Sequence, residues 1–423
     1  MVPPPRSRSG AGRSGAQRGR LRSAEDRGLL ESRAMAVPLA ELLTAGGLVL
    51  HSFNHERTFD RPGAGVTVLF RIQAVDQDGA EITVYAGATT SPAAARGPAL
   101  RTSLSGTQLF LWLHPRDPLL PDLAWALSPE DLARDVFAPG TSPAGVGVRV
   151  TGYRPLRRAV VHASSGLDGV YLKVVLPGQA EELRHRHRLL AASAVPAAAL
   201  RPGPAHRSAV VLEQLTGTPL LRGLAAGSHG LSAGDLTGLL DELPAAALDL
   251  RRRPAWAERS RAYGQAAAAL LPGQRMRVQA LAAGVESLVA ELDPGPVVPV
   301  HGDFYEGNLL AAAGRITGVL DVDGLGPGHR VDDLACFIGH LAVLARLSPD
   351  SALPGELAAF QAGFESAAAA AGSSPAALNA RAAGVALSLV PGARAGRLDR
   401  ESNALARLEA AEHLLEQAQG RAA

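Results

Sequence analysis

The stretch VVPVHGDFYEGNLLAAAGRITGVLDVDG, residues 297 to 324, restricts this chain more than any other part of it. Val297 to Val300, the short Leu309–Leu310 pair and Ile316 to Leu320 are apolar and β-competent, and AAAG supplies a turn between the last two. A hairpin folded symmetrically about residues 312 and 313 sets Asn308 against Thr317, and Asp303 and Phe304 against Asp321. Two carboxylates and an amide then gather at its open end. With no His or Cys in a soft-metal spacing, such oxygen donors favour a hard cation such as Mg²⁺, which takes one or two carboxylates together with phosphate oxygens and water. The island reads as a site for handling phosphate, not for binding zinc.

Around this island the chain changes character in order. Residues 1–34 are rich in Arg, Gly, Ser and Pro, and such a composition predicts a disordered basic tail, with Met35 as an alternative start. From 36 to 145 a separate α+β region is expected. VTVLFRIQAV and AEITVYAG flank the turn DQDG, LFLWL is a further strand, and SPEDLARDVF begins a helix with Ser128 at the cap and Pro129 in the first turn. FAPGTSPAG, 137 to 145, reads as a linker. Between 146 and 212, VGVRV, RRAVVHA, VYLKVVL and SAVVLEQ are strands, with the helix EELRHRHRLLAASA before the last. From 213 to 420 the pattern is mainly helical apart from the island. Several strands, a helix, a connector and a helical body predict a two-lobed α+β architecture: a small β-rich lobe, a larger helical lobe and the additional N-terminal region.

One lysine stands among 41 arginines, in VYLKVV at Lys173. Strand alternation sets it on the face of Tyr171 and Val175. A compact ammonium is not interchangeable with a planar guanidinium where a slot is narrow, so this position calls for a particular ligand. His185 and His187 are two apart on a helix, do not share a face, and are expected at the surface. Asp332 and Asp333 precede LACFIGHLAVLA and are expected to cap that helix.

H301-G-D-F-Y-E-G-N308 resembles the catalytic loop H-G-D-x-x-x-x-N of the aminoglycoside phosphotransferase and choline kinase family, and LDVDG resembles that family's metal-binding strand end. The chain has only four asparagines, and one falls at the required place. The resemblance spans roughly 146 to 420 and implies a protein-kinase-like fold. It implies that Asp303 is the catalytic carboxylate that accepts or orients the proton of an attacking hydroxyl, and that Asn308 and Asp321 hold Mg²⁺. Asp323 would support the site or bind metal directly, and His301 would brace the loop. Lys173 would contact the α- and β-phosphates of ATP, with GTP as the alternative nucleotide. Glu182, or failing that Glu181, would pair with it. The backbone from Glu213 to Leu215 would meet the adenine. The implied activity is transfer of the γ-phosphate to a hydroxyl of a small molecule, a sugar or an aminoglycoside, and the rival reading is a non-catalytic nucleotide-binding module. Arg154, Arg157 and Arg158, in GYRPLRR, stand where family members carry a loop over the phosphates, but without its glycines. His329 stands where members usually have an aspartate.

Composition narrows the partners. At 423 residues with 47% hydrophobic content, the chain can fill more than one core. The net charge is +2, and the first 34 residues hold eight arginines against Glu25, Asp26 and Glu31, so the folded part is slightly acidic. A nucleic-acid groove is not expected there. The longest apolar run, Leu334 to Ala345, is too short to span a bilayer, and no signal peptide is visible. A single cysteine, Cys336, suits a reducing compartment, so a cytoplasmic enzyme is expected.

Overall fold

A computed structural model describes residues 23–61 and 64–422. The chain divides into two compact units. One takes in the described residues up to Glu182 together with Arg201–Glu213, and the other takes in Leu183–Leu200 and everything from Gln214. The first is β-rich and the second mainly helical, the α+β division expected from the order of the elements.

The first unit opens on a helix, α1 (23–30), followed by α2 (Ala36–Ala45). An antiparallel sheet follows, built from β1 (Val49–Arg61), β2 (Gly65–Val75), β3 (Glu81–Thr89), β4 (Leu100–Leu104) and β5 (Thr107–Leu113) in the order β1-β2-β3-β5-β4. The turn between β2 and β3 forms because the Asp76 carboxylate accepts the N–H groups of Asp78 and Ala80 while Gly79 takes a positive φ. Leu30, Met35, Leu39 and Leu43 bury themselves against Val68, Phe70 and Ile72 of this sheet. The basic tail therefore ends earlier than the composition implied. Residues 1–22 lie outside the described residues, but Leu30 is fully buried, because an apolar pair at 29–30 lets the end of α1 pack although its window is polar on average.

A second antiparallel sheet follows: β6 (Val146–Arg154), β7 (Arg158–Ser165), β8 (Asp168–Val175) and β9 (Ala209–Glu213). Its buried face carries Val170, Leu172 and Val174, which pack on Leu120, Leu123 and Trp125 beside α3 (Leu123–Ala126) and on Leu132 of α4 (Pro129–Asp135). Ser128 caps α4 by accepting the N–H of Asp131 at 3.1 Å. The carboxylate of Asp117 accepts the Tyr153 hydroxyl at 2.7 Å and the Leu156 N–H at 2.8 Å. The segment from 117 to 137 is thus part of the second sheet's core, and the expected boundary at 145 is corrected. Phe137 at the start of the expected linker is buried, since an aromatic side chain in that segment finds the core.

The second unit begins within α5 (Gln179–Ala191) at Leu183. Its helices are α6 (Leu220–Ala226), α7 (Ala233–Asp241), α8 (Ser260–Leu270), α9 (Arg275–Glu291), α10 (Arg330–Leu347), α11 (Leu353–Ala370), α12 (Pro375–Leu389) and α13 (Arg400–Ala422). α10 is buried along nearly its whole length and runs through the core of this unit. Two small β elements lie beside it: β10 (Thr218–Pro219), β12 (Leu309–Ala312) and β13 (Arg315–Val319) form one, β11 (Val297–Val300) and β14 (Gly326–His329) the other. On α5, Arg186 and His187 are buried, not at the surface, while His185 is exposed. They share the 183, 186, 187, 190 stripe with two leucines, and their polar atoms reach the carbonyls of Leu325 and Ala198 at 3.1 and 2.9 Å. Among the described residues, no helix is long and apolar enough to cross a membrane.

Candidate active site

The hairpin β12–β13 sets the geometry. Ala313 and Gly314 both take positive φ, so the chain reverses about residues 313 and 314, and a register shift lies between Leu310 and Ala311. Leu309 consequently faces Val319, and the Leu320 N–H donates to the Asn308 carbonyl at 2.8 Å. This corrects the expected register: Asn308 stands opposite Leu320, not Thr317. The correction places Asn308 one residue from Asp321.

Residue 320 is held from two sides. Its N–H is bound by Asn308, and its carbonyl accepts from His301 Nε2 at 2.9 Å. The other ring nitrogen, Nδ1, accepts the Asp303 N–H at 3.3 Å. An imidazole that donates through Nε2 and accepts through Nδ1 is the neutral Nε2–H tautomer. His301 therefore fastens the loop carrying Asp303 to the strand end carrying Asp321. Immediately beyond the clamp, Asp321 adopts φ 52° and ψ 50°, a conformation costly for a residue with a side chain and characteristic of functional sites. Gly302, with φ 81°, lies so near the second loop that a Cβ would meet the Gly324 carbonyl at 2.8 Å. Glycine at both positions is what lets the two loops touch.

The loop HGDFY is met residue by residue by one face of α10. Asp333 accepts the His301 N–H at 2.7 Å and the Gly302 N–H at 2.8 Å. The Cys336 thiol lies 3.9 Å from Asp303 Oδ1, the ring of Phe337 is 6.3 Å from that of Phe304, and His340 stacks on Tyr305 at 4.0 Å. Positions 333, 336, 337 and 340 share a helix face, so a single rigid element fixes the loop. Asp333 and Asp332 lie in the first turn of α10, but the expected capping is not what they do, since the cap residue His329 has no side-chain cap bond. Asp332 instead pairs with the buried Arg381 at 2.8 Å. His329 closes the β11–β14 ribbon opposite Val297, and its Nδ1 lies 2.9 Å from the Gly295 carbonyl.

Burial tunes the ionisable groups. It lifts the Asp333 carboxyl to about 7 despite the two N–H donors, and the Glu306 carboxyl to about 7 as well. It pushes the His340 imidazole down to about 4, with the Arg407 charge adding to this, so a neutral ring stacks on Tyr305. The Tyr305 phenol is raised by burial first and then by the charges of Asp303, Glu306 and Asp321.

The donor set fits a hard cation. Asn308 Nδ2 donates to the Asp303 carbonyl at 2.9 Å, which turns Oδ1 of the same amide away as an oxygen donor, and the neighbouring Asp321 adds a carboxylate. In the first unit, Lys173 lies on the central strand β8 between Val160 and Val210, half-buried on the face opposite the Leu172 core. Glu182 is exposed on α5, as is Glu181. Glu213 ends β9, and its carboxylate joins Asp168 around Arg201, with contacts of 2.6 Å to each. In the second unit, Leu215 is half-buried, and a Cβ on Gly318 would meet its side chain at 3.0 Å. Asp323 belongs to the short turn that follows Asp321. From the sequence, Asp333 was expected only to cap a helix and Cys336 only to suit a reducing compartment, while Glu306 and His340 were given no role. The i, i+3, i+4, i+7 spacing of Asp, Cys, Phe and His within an otherwise apolar helix was the available signal.

A hairpin carries the oxygen donors, and a buried helix braces the loop beside it. A profile of the phosphotransferase enzyme family matches residues 152–371, and the chain belongs to that family. No curated protein matches the sequence. Among solved structures, it is similar to choline kinase from Cryptosporidium parvum, at 12% identity and a TM-score of 0.46, covering 70% of this chain and 96% of that one. It is also similar to a thermostable mutant of aminoglycoside phosphotransferase APH(4)-Ia in ternary complex with ADP and hygromycin B, at 17% identity and a TM-score of 0.43, covering 64% of this chain and 93% of that one. A third is spectinomycin phosphotransferase APH(9)-Ia in complex with ADP and spectinomycin, at 14% identity and a TM-score of 0.43, covering 65% of this chain and 92% of that one.

Proposed function

We propose that this phosphotransferase transfers the γ-phosphate of ATP to a hydroxyl of a small molecule, a sugar or an aminoglycoside, in the cytoplasm, where a buried free thiol such as Cys336 also persists. GTP is the alternative donor. The observation that carries the reading is the His301 clamp, which holds the Asp303 loop against the strand end bearing Asp321 while Asn308 stands between them. Asp303 accepts the proton of the acceptor hydroxyl as its oxygen forms a bond to the γ-phosphorus and the bond to the departing ADP breaks. Asn308 and Asp321 would hold Mg²⁺, with Asp323 supporting them or joining as a ligand. When bound, the ion neutralises charge on the nucleotide phosphates. Lys173 binds the α- and β-phosphates, Glu182 directs it, and the backbone from Glu213 to Leu215 receives the adenine. Asp303→Asn is the test. The variant should bind ATP with wild-type affinity and lose at least about a hundredfold in acceptor-stimulated ADP release. Near-normal turnover would remove the aspartate from the reaction, and saturable ATP binding with no acceptor-dependent turnover by wild-type protein would make the chain a nucleotide-binding module.

A further inference from the structure

One end of the second sheet is tied by a single side chain. Arg201 is held to β9 by its backbone, whose N–H donates to the Val211 carbonyl at 3.0 Å. Its guanidinium then meets two carboxylates. Nε and Nη2 donate to the two oxygens of Glu213 at 2.8 and 2.6 Å, and Nη1 and Nη2 donate to the two oxygens of Asp168 at 2.8 and 2.6 Å. Every nitrogen of the fork is engaged, and both acids are met bidentately.

The position of this fork is set by the strands. Asp168 opens β8 and Glu213 closes β9, and the two strands pair antiparallel with Val170 opposite Glu213, so both acids stand at the same end of the pair. An isolated surface ion pair contributes little, but two planar bidentate contacts on one fork form a network in which each carboxylate fixes the guanidinium for the other. The Arg201 side chain is 17% exposed against 43% for Asp168 and 38% for Glu213, so the cation is the covered member of the three. Without it, two carboxylates stand together at one strand end. Lys173 lies further along β8, opposite Val210, away from that end.

We propose that Arg201 is a positioning residue for the nucleotide base: by fastening Asp168 to Glu213 it fixes the backbone at the end of β9 and keeps the Glu213 carboxylate turned away from the base. The inference rests on the reading that gives this backbone to the adenine. Calorimetry with ADP and with inorganic tripolyphosphate, each with Mg²⁺, would be run on the full chain as wild type, Arg201→Met, Arg201→Lys, Asp168→Asn and Lys173→Met, beside thermal melting. Arg201→Met should weaken ADP about tenfold and leave tripolyphosphate within about twofold, whereas Lys173→Met should weaken both. Arg201→Lys keeps the charge without the planar fork and should resemble Arg201→Met. Asp168→Asn leaves Glu213 held and should weaken ADP by less. In steady state, Arg201→Met should raise the KM for ATP with kcat nearly unchanged. A merely structural tie would lower the melting temperature of Arg201→Met and leave its ADP affinity as in the wild type. That result, or an equal loss for ADP and tripolyphosphate, would overturn the assignment. Since the readout is binding, a wild type that binds ADP without acceptor-dependent turnover would overturn the transfer reaction, while the comparison of ADP with tripolyphosphate would still decide the role of Arg201.

Discussion

Replacing Asp333 by asparagine tests how the catalytic loop is held. The carboxylate is 1% exposed, and its two oxygens accept separate backbone N–H groups, from His301 and Gly302, at 2.7 and 2.8 Å. Asparagine keeps one acceptor and turns its NH₂ toward the second donor. Near pH 5 the acceptor is a neutral carboxyl, whose hydrogen bond contributes about 0.5–1.5 kcal/mol, and an orphaned buried donor costs about 1–3 kcal/mol, so the substitution should lose ~2–4 kcal/mol there. Displacing Asp303 by a fraction of an ångström should lower kcat about ten- to a hundredfold, with the KM for ATP nearly unchanged. The pH dependence has a definite sign. Burial lifts this carboxyl from 3.8 to about 7, so between those values the folded chain holds a proton that the unfolded chain lacks. That contribution is fully present at low pH and is lost as pH rises toward 7, and it disappears from the asparagine variant. Urea midpoints followed by tryptophan fluorescence should therefore differ most near pH 5 and converge toward pH 8. A variant with wild-type kcat and an unshifted midpoint at every pH would refute the anchoring.

Gly302→Ala meets both a positive φ and the Gly324 carbonyl at 2.8 Å, whereas Gly79, at the same φ of 81°, has open space around it. Gly79→Ala should lose only about 1–2 kcal/mol of stability and no activity, while Gly302→Ala should also lower kcat about tenfold, which steady-state ADP release and thermal melting together would check. Arg381→Met leaves Asp332 buried and unpaired, and should destabilise by about 3–5 kcal/mol in urea; the double variant with Asp332→Leu should recover most of this. Lys173→Met should lower kcat/KM for ATP at least about tenfold, and an unchanged value would remove the lysine from phosphate binding.

What was legible in the sequence followed locality. Strand alternation around Lys173, the Ser128 cap and the β2–β3 turn at Asp76 each depend on residues a few positions apart, and the structure forms them where the residue types call for them. The hairpin register was not legible. AAAG allows several turn centres, and the choice rests on Ala313 accepting a φ of 49°, a cost no propensity for alanine foretells. The loop anchor was hidden for a different reason. Asp333 and His301 lie 32 positions apart, and two adjacent acids ahead of an apolar run look like a helix start whichever partners they find. Resemblance to the family supplied Asp303, Asn308 and Asp321 without explaining their placement. The explanation lies in residues the motif does not contain: His301 closes the clamp only because Leu320 presents both its N–H and its carbonyl to the loop, and α10 supports it only because 333, 336, 337 and 340 fall on one face. The chain positions the motif residues through backbone groups that any side chain could have occupied.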